Sequence, residues 1–193
     1  MRRVIAAGVL VAALAGGCSS GSHHVTSPST TAAANPEVVP AVITPAYVDS
    51  VFVVLNHAYS TAARELRTAH SLTPQVKANL RAVFNDPVYG TQIQAAEQAV
   101  QEGAINNVRS HGGDATTVVT SLIAASPTCV FVQARTDVSA LYVRVGSDPA
   151  SEYYELQPKV LGNDPSGINS TPWAISVDRA FTTPTRLPSS CPA

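Results

Sequence analysis

The sequence predicts an α+β fold in which three N-terminal helices pack on an antiparallel sheet of four to five strands. Between residues 45 and 104, apolar side chains recur every three or four positions, as they do on one side of a helix. After Gly113 they recur at every second position, and β-branched and aromatic residues become frequent, which is typical of strands. Because the helices come first and the strands after them, we expect the helices to cover one face of a single sheet.

The three predicted helices begin in the same way, with a capping side chain followed by a proline. The pairs are Thr44-Pro45, Thr73-Pro74 and Asp86-Pro87. A Thr or Asp side chain accepts hydrogen bonds from free N–H groups of the first turn, and proline suits the next position because its missing N–H is not needed there. We expect the third helix to fray between Gly103 and the pair Gly112-Gly113.

Five segments after Gly113 are predicted strands. Most of the linkers between them are short, which favours an antiparallel meander, since parallel neighbours need long crossovers. The longest linker, residues 160–172, contains Asn163-Asp164-Pro165 and is expected to form a loop. The predicted strands are residues 116–124, 129–136, 139–145, 151–159 and 173–178.

The two faces of this sheet differ in composition. On the second strand, Val130, Val132 and Ala134 share one face, which we expect to be apolar. The opposite faces carry aromatic, amide and charged side chains: Phe131, Gln133, Arg135, Tyr142, Arg144, Glu152 and Tyr154. Such a set can line a ligand pocket. It can also be the solvated side of a sheet with cross-strand pairs, which is the interpretation we favour.

Residues 1–17 are predicted to be an export signal that is cut before Cys18. Arg2 and Arg3 precede an apolar run of about 12 residues, which is too short for a transmembrane helix of roughly 20. The run leads into Leu14-Ala15-Gly16-Gly17-Cys18, which resembles the bacterial lipobox, although Ala15 stands where Leu is usual. The resemblance implies that Cys18 carries fatty acyl chains such as palmitate. The alternative is an ordinary secretory signal followed by an unmodified cysteine.

Residues 18–44 are predicted to be a flexible tether behind the lipidated cysteine. They are mostly Ser, Thr, Ala, Pro and Gly, with too few large apolar side chains to offset the entropy of ordering. His23-His24 can bind a metal in principle, but we expect both side chains to be solvated, and we expect no metal site and no cofactor. The expected location is the extracytoplasmic face of the cell membrane, through the lipid anchor.

The other two cysteines, Cys129 and Cys191, are most simply a disulfide, because an even pair in an exported chain is usually oxidised. The alternatives are a metal site and a reactive thiol. A disulfide would pin the Pro-rich tail, residues 184–193, to the globular domain at residues 45–183. Without Arg2 and Arg3 the chain has 10 basic and 13 acidic side chains, so we expect no nucleic-acid partner.

The order of elements resembles the cone fold of nuclear-transport-factor-2-like proteins, which ketosteroid isomerases and polyketide cyclases share. That resemblance implies that the sheet is strongly curved. The chain lacks the strand hairpin that this family has between its second and third helices, since only residues 84–87 lie there. More locally, Ala46-Tyr47-Val48-Asp49, Asn85-Asp86-Pro87, Ser126-Pro127-Thr128-Cys129 and Thr171-Pro172-Trp173-Ala174 are similar to segments of uncharacterised actinobacterial (mycobacterial-type) exported lipoproteins.

Local signatures of catalysis are missing from the sequence, among them Gly-x-Ser-x-Gly and Gly-rich phosphate loops. His57, His70 and His111 are expected on a solvated helix face, at a helix end and in a loop. Cone enzymes often place an Asp or His in the cavity, and Asp49 and Asp137 are the nearest candidates here. We favour helix-dipole and turn roles for these two carboxylates.

Two functions remain open from the sequence, besides a purely structural role as an accessory subunit of an envelope complex. The first is a membrane-anchored extracytoplasmic lipoprotein whose domain binds a hydrophobic small molecule or an envelope protein. The second is a cone-type enzyme, an isomerase, cyclase or hydratase, acting on a hydrophobic small molecule. The second requires a deep cavity that holds an ionisable group.

Overall fold

The computed structural model describes residues 34–143, 150–180 and 191 of the 193-residue chain, all within one compact unit that spans residues 33–193. The predicted signal peptide, Cys18, the tether up to residue 33 and Arg144 lie outside the described residues. The helices are α1 (Pro45–Ala69), α2 (Pro74–Val83) and α3 (Val88–Gln101), followed by a 3-10 turn at Ala104–Asn107. The strands are β1 (Thr116–Ser126), β2 (Cys129–Asp137), β3 (Ala150–Pro158) and β4 (Trp173–Ala180).

The four strands form one open antiparallel sheet in the order β1-β2-β3-β4, so the predicted α+β class and meander are confirmed. The description of the helices as N-terminal is wrong, because α1 begins only at Pro45. The strand predicted at residues 139–145 is also wrong as far as residue 143. Leu141 and Tyr142 donate backbone hydrogen bonds to Val138 in a turn, and Tyr142 forms an isolated bridge with Val108 instead of joining the sheet.

Two of the three predicted caps are confirmed. Thr44 Oγ1 accepts a hydrogen bond from Tyr47 N, and Thr73 Oγ1 accepts one from Val76 N, each over 3.2 Å. The cap predicted at Asp86 is wrong, because α3 begins one residue later, after Pro87, without a side-chain cap. The Asp86 carboxylate is instead 2.8 Å from Arg81 Nη2. An ion pair across the connection between α2 and α3 has replaced the cap.

The core lies between α1 and one face of the sheet. Phe52 of α1 meets Tyr154 of β3 edge to face, with ring centroids 5.1 Å apart. Trp173 at the start of β4 is fully buried, and its Nε1 donates a hydrogen bond to Tyr47 Oη over 2.8 Å. These contacts join α1 to β3 and to β4, the last strand. The helix layer thus packs directly on the sheet.

The register of β2 and β3 corrects the predicted faces. Val132 pairs with Tyr154 and Ala134 pairs with Glu152, and directly paired residues point to the same side of a sheet. Glu152 and Tyr154 therefore lie on the face that α1 covers, among the aliphatic residues. Phe131 stays on the other face, where its ring stacks on that of Tyr153 at 6.0 Å.

An irregularity in β4 changes which residues face the helices. Glu155 pairs with Val177 and Leu156 pairs with Ile175, so Ser176 is an extra residue without a partner across the strand. Such a β-bulge shifts the alternation of side chains by one position. As a result Asp178 lies on the same face as Ile175, toward the helices.

The predicted cysteine pairing is present. The Sγ atoms of Cys129 and Cys191 lie at bonding distance, 2.24 Å, so the disulfide joins the start of β2 to the C-terminal tail. Among the helices in the described ranges, none has both the length and the apolar character needed to cross a bilayer.

Candidate functional site

A cavity of about 410 Å³, which we name the helix chamber, opens in the helical part of the fold. It lies between α1, α2, α3 and the turn after β2. The alanines of α1 and α3 leave this space, because a methyl side chain cannot fill the gap between two helices. The lining residues are mainly apolar: Tyr59, Ala62, Ala63, Leu66, Val76, Leu80, Gln92, Ala95, Ala96, Ala99, Ala104, Ile105, Asn107, Val108, Val138 and Tyr142.

A smaller space of about 130 Å³, the sheet chamber, lies between α1 and the sheet. Tyr59, Gln92 and Val138 line both chambers, so the two spaces adjoin. The sheet chamber is lined by Leu55, Asn56, Val83, Phe84, Ala115, Thr136, Glu152, Tyr154, Ile175 and Asp178 besides those three. An apolar space thus leads to one with polar groups, a combination typical of small-molecule sites.

The polar groups of the sheet chamber centre on Tyr154. Its hydroxyl donates a hydrogen bond to Glu152 Oε2 and lies 2.8 Å from Thr136 Oγ1. Thr136 Oγ1 is in turn 3.2 Å from Thr117 Oγ1. Asp178 has neither a hydrogen bond nor an ion pair within the part of the chain that the structure describes. It is the carboxyl group in this chamber that is free to meet a ligand.

Burial and charge shift the acidity of these groups. Burial, and then the nearby Glu152 carboxylate, raise the pKa of Asp178 from 3.8 to about 6. Burial, and then the Glu152 and Asp178 charges, raise the pKa of Tyr154 above its ordinary value. The described lining of both chambers contains no Lys, Arg or His to offset these carboxylates. Asp178 therefore has a raised pKa in a space whose described lining supplies no counter-charge.

A pair of tyrosines stands where the chambers adjoin. Tyr59 Oη and Tyr142 Oη lie 3.1 Å apart, and either can be the donor. The Tyr59 ring meets Phe84 edge to face at 6.1 Å. Burial, and then Tyr142, raise the pKa of Tyr59 well above its ordinary value, so the Tyr59 hydroxyl is a neutral hydrogen-bonding group. Tyr59 lies in an apolar stripe of the sequence, which conceals the polar role of its hydroxyl.

The structure places the predicted histidine candidates outside the cavity. His57 is exposed on α1, and its Nδ1 lies 2.8 Å from Asp114 Oδ2. Arg64 Nη2 binds the other oxygen of Asp114 over 2.8 Å. Burial raises the pKa of Asp114, but the hydrogen bonds from His57 and Arg64 outweigh this effect, so the pKa lies below its ordinary value. His70 caps the C-terminus of α1, and His111 is exposed in a loop.

The two predicted carboxylate candidates have structural roles. Asp49 Oδ1 accepts a hydrogen bond from Val119 N over 2.7 Å, which joins α1 to an irregular part of β1. Asp137 Oδ1 accepts one from Ser139 N over 2.8 Å in the turn after β2, as predicted for a turn residue. Neither lines a chamber. Over the described residues, no group of three or more His, Cys, Asp and Glu side chains is placed to hold a metal ion.

Sequence patterns do not single out Asp178 as a site residue. Strict alternation in β4 places it on the face opposite Trp173 and Ile175, and only the extra residue Ser176 reverses this. The sequence alone predicts Glu152 and Tyr154 on the outer face, because a single strand does not show its register with its neighbours. The signal that the sequence does contain is the presence of ionisable residues, Glu152 and Asp178, in strands whose other residues suit burial.

Comparison with known proteins gave no match: no family model fits the sequence, and neither a curated protein nor a solved structure is similar to it. The resemblances to cone proteins and to actinobacterial lipoproteins therefore stay predictions. The cavity is the feature from which a function can be inferred.

Proposed function

We propose that this domain binds an apolar small molecule whose body occupies the helix chamber and whose polar end reaches the sheet chamber. The observation that carries the proposal is an apolar space of about 410 Å³ that adjoins polar groups buried on the sheet. Its volume lies within the range of roughly 300–1,000 Å³ typical of ligand pockets. Water finds few hydrogen-bonding partners in an apolar space. An apolar ligand is stabilised there because binding removes its apolar surface from solvent.

Filling the helix chamber tests this proposal. Ala96 lines the chamber from α3, whereas Gln94 is exposed on the same helix and does not line it. Ala96→Leu should weaken binding of the neutral fluorescent dye N-phenyl-1-naphthylamine at least tenfold, and Gln94→Leu should leave it unchanged. Urea unfolding of both variants checks that the fold is retained. Equal dye binding by folded Ala96→Leu and the unaltered protein would contradict the proposal.

A second candidate function, a cone-type enzyme, is favoured by Asp178. Its carboxyl group has no partner among the described residues and lines the sheet chamber, which adjoins the apolar helix chamber, and its pKa of about 6 suits proton transfer near neutral pH. We propose Asp178 as the base for moving a proton next to a carbonyl group, as an isomerase requires. Conversion of 3-cyclohexenone to its conjugated isomer, followed by ultraviolet absorption, tests this. Asp178→Asn should abolish the conversion, and a rate equal to the uncatalysed one in the unaltered protein would reject isomerisation of such ketones.

A cone-like shape agrees with both proposed functions. Support comes from the helix-first order, the antiparallel meander and the irregularities in β1 and β4, since bulges bend the strands that contain them. We propose that these bends curve the sheet around the sheet chamber. A crystal structure with a flat sheet would contradict this proposal.

We further propose that the domain is held at the extracytoplasmic face of the cell membrane through acylated Cys18. The support is the sequence alone: the basic tip, the short apolar run and the lipobox-like residues before Cys18. Cys18→Ala should move the protein from the membrane fraction to the soluble fraction, whereas Ser19→Ala should not. Unchanged membrane retention of Cys18→Ala would reject anchoring through this residue.

A further inference from the structure

The charge of the cavity narrows the kind of ligand that it can hold, given the proposed binding function. The lining includes two carboxyl groups, Glu152 and Asp178, and no basic side chain among the described residues. Glu152 already accepts a hydrogen bond from Tyr154, whereas Asp178 lacks any partner within the described ranges. A carboxylate that loses water without gaining a partner is destabilised. A bound ligand therefore stabilises Asp178 if it supplies a hydrogen-bond donor and a positive charge.

The other elements that line the two chambers offer no positive charge within the part of the chain that the structure describes. The titratable groups that face it are Glu152 and Tyr154 on β3 and Tyr59 on α1. The neighbouring positions on α2, at its end and on α3 are Val83, Phe84 and Gln92. The sheet chamber is therefore a negatively charged pocket that adjoins the apolar helix chamber.

We propose that the cavity selects molecules with a protonated amine at one end of an apolar body, the ammonium group lying between Asp178 and Glu152. An ammonium group donates up to three hydrogen bonds and cancels the charge of a carboxylate. An alcohol of the same length donates one hydrogen bond and leaves the charge uncompensated. A fatty carboxylate adds a further negative charge and is repelled.

Three ligands with the same octyl chain separate these cases: n-octylamine, 1-octanol and octanoate. Each displaces N-phenyl-1-naphthylamine from the full-length chain with the Cys18→Ala change, at pH 7.5 and low ionic strength. We expect octylamine to bind at least tenfold more tightly than octanol, and octanoate to bind the weakest. Octanol binding as tight as octylamine would overturn the amine assignment while leaving the proposed binding function in place. Failure of all three to displace the dye would overturn both.

A matched pair of carboxyl variants locates the selectivity. Asp178→Asn should reduce the preference for octylamine over octanol to less than about threefold while leaving octanol affinity nearly unchanged. Glu155→Gln is the control, because Glu155 lies on the same sheet but on the outer face, where it accepts a hydrogen bond from Gln157. Retention of the full amine preference in a folded Asp178→Asn protein would show that the cation is held elsewhere and would overturn the assignment.

Discussion

The hydroxyl groups of Tyr59 on α1 and Tyr142 in the turn after β2 lie 3.1 Å apart, where the helix chamber adjoins the sheet chamber. Tyr142 belongs to the segment that pairs with Val108 just after the 3-10 turn. One hydrogen bond therefore fixes the rim of the cavity by joining α1 to a segment outside the sheet.

The first prediction concerns this tyrosine pair. Tyr59→Phe and Tyr142→Phe should each lower the free energy of unfolding by about 0.5–1.5 kcal/mol, the usual net contribution of one hydrogen bond. The double variant should lose less than the sum, because the same bond is removed by either change. Urea unfolding measures all three. Tyr89→Phe is the control, since Tyr89 Oη has no hydrogen bond to the described residues, and strictly additive losses would contradict a direct interaction.

The second prediction concerns pH. The pKa of Asp178 is raised from 3.8 to about 6 by burial and by Glu152, so the folded protein holds a proton that the unfolded chain releases. Its stabilising contribution is present below about pH 4 and is lost as the pH rises through about 6, a change of up to about 3 kcal/mol. Asp178→Asn cannot titrate and should lose less stability over this interval.

Urea unfolding of both proteins at pH 4, 5, 6 and 7 measures the difference. Relative to the unaltered protein, Asp178→Asn should become progressively more stable between pH 4 and pH 7. Parallel pH profiles for the two proteins would show that the carboxyl group is not held in an apolar space.

The third prediction concerns Asn169 in the loop between β3 and β4. Its buried Nδ2 donates to Ala82 O over 2.6 Å and to Trp173 O over 2.8 Å, and its Oδ1 accepts from Thr171 N over 3.0 Å. Asn169→Ala removes the side-chain partners of Ala82 O and Thr171 N, whereas Trp173 O keeps the hydrogen bond from Thr171 Oγ1, and the change should cost about 1–3 kcal/mol of unfolding free energy. Asn106→Ala, at an exposed site, should cost less than about 0.5 kcal/mol. Equal losses in urea unfolding would contradict this role.

The fourth prediction concerns the disulfide. Cys129 and Cys191 are 62 positions apart, and closing a loop of that length restricts the unfolded chain by up to about 4 kcal/mol. Reduction should lower the urea midpoint of the unaltered protein to that of Cys191→Ala. The same reductant should leave Cys191→Ala unchanged. A midpoint that does not respond to reduction would show that the bond adds no stability.

Much of the fold was accessible from local sequence patterns. Thr44 and Thr73 cap the helices predicted to follow them, because a cap depends on residues three positions apart and on nothing distant. The cap at Asp86 fails since Arg81, five residues earlier, competes for the carboxylate. The strand predicted around Leu141 has strand-like alternation, yet its backbone pairs with residues 107–109 instead of with the sheet.

The cavity was the part that sequence patterns left hidden. Its apolar walls depend on alanines of separate helices facing each other, and Ala62 and Ala96 are ordinary helix residues in isolation. Its polar end depends on register: the pairing of Ala134 with Glu152 and the extra residue in β4 bring Glu152 and Asp178 to one face. Both are relations between segments, which no single segment of sequence contains.

The bulge in β4 makes the acidic end of the cavity tolerant of a one-residue change in chain length. Deleting Ser176 would leave Val177 opposite Glu155 and Asp178 opposite Tyr154, so strict alternation from Ile175 would still place the carboxyl group on the helix side. A single-codon deletion would thereby remove the bend of the strand without removing the acidic group. Related chains that differ by one residue at this point would thus be expected to share ligand charge while differing in the curvature of the sheet.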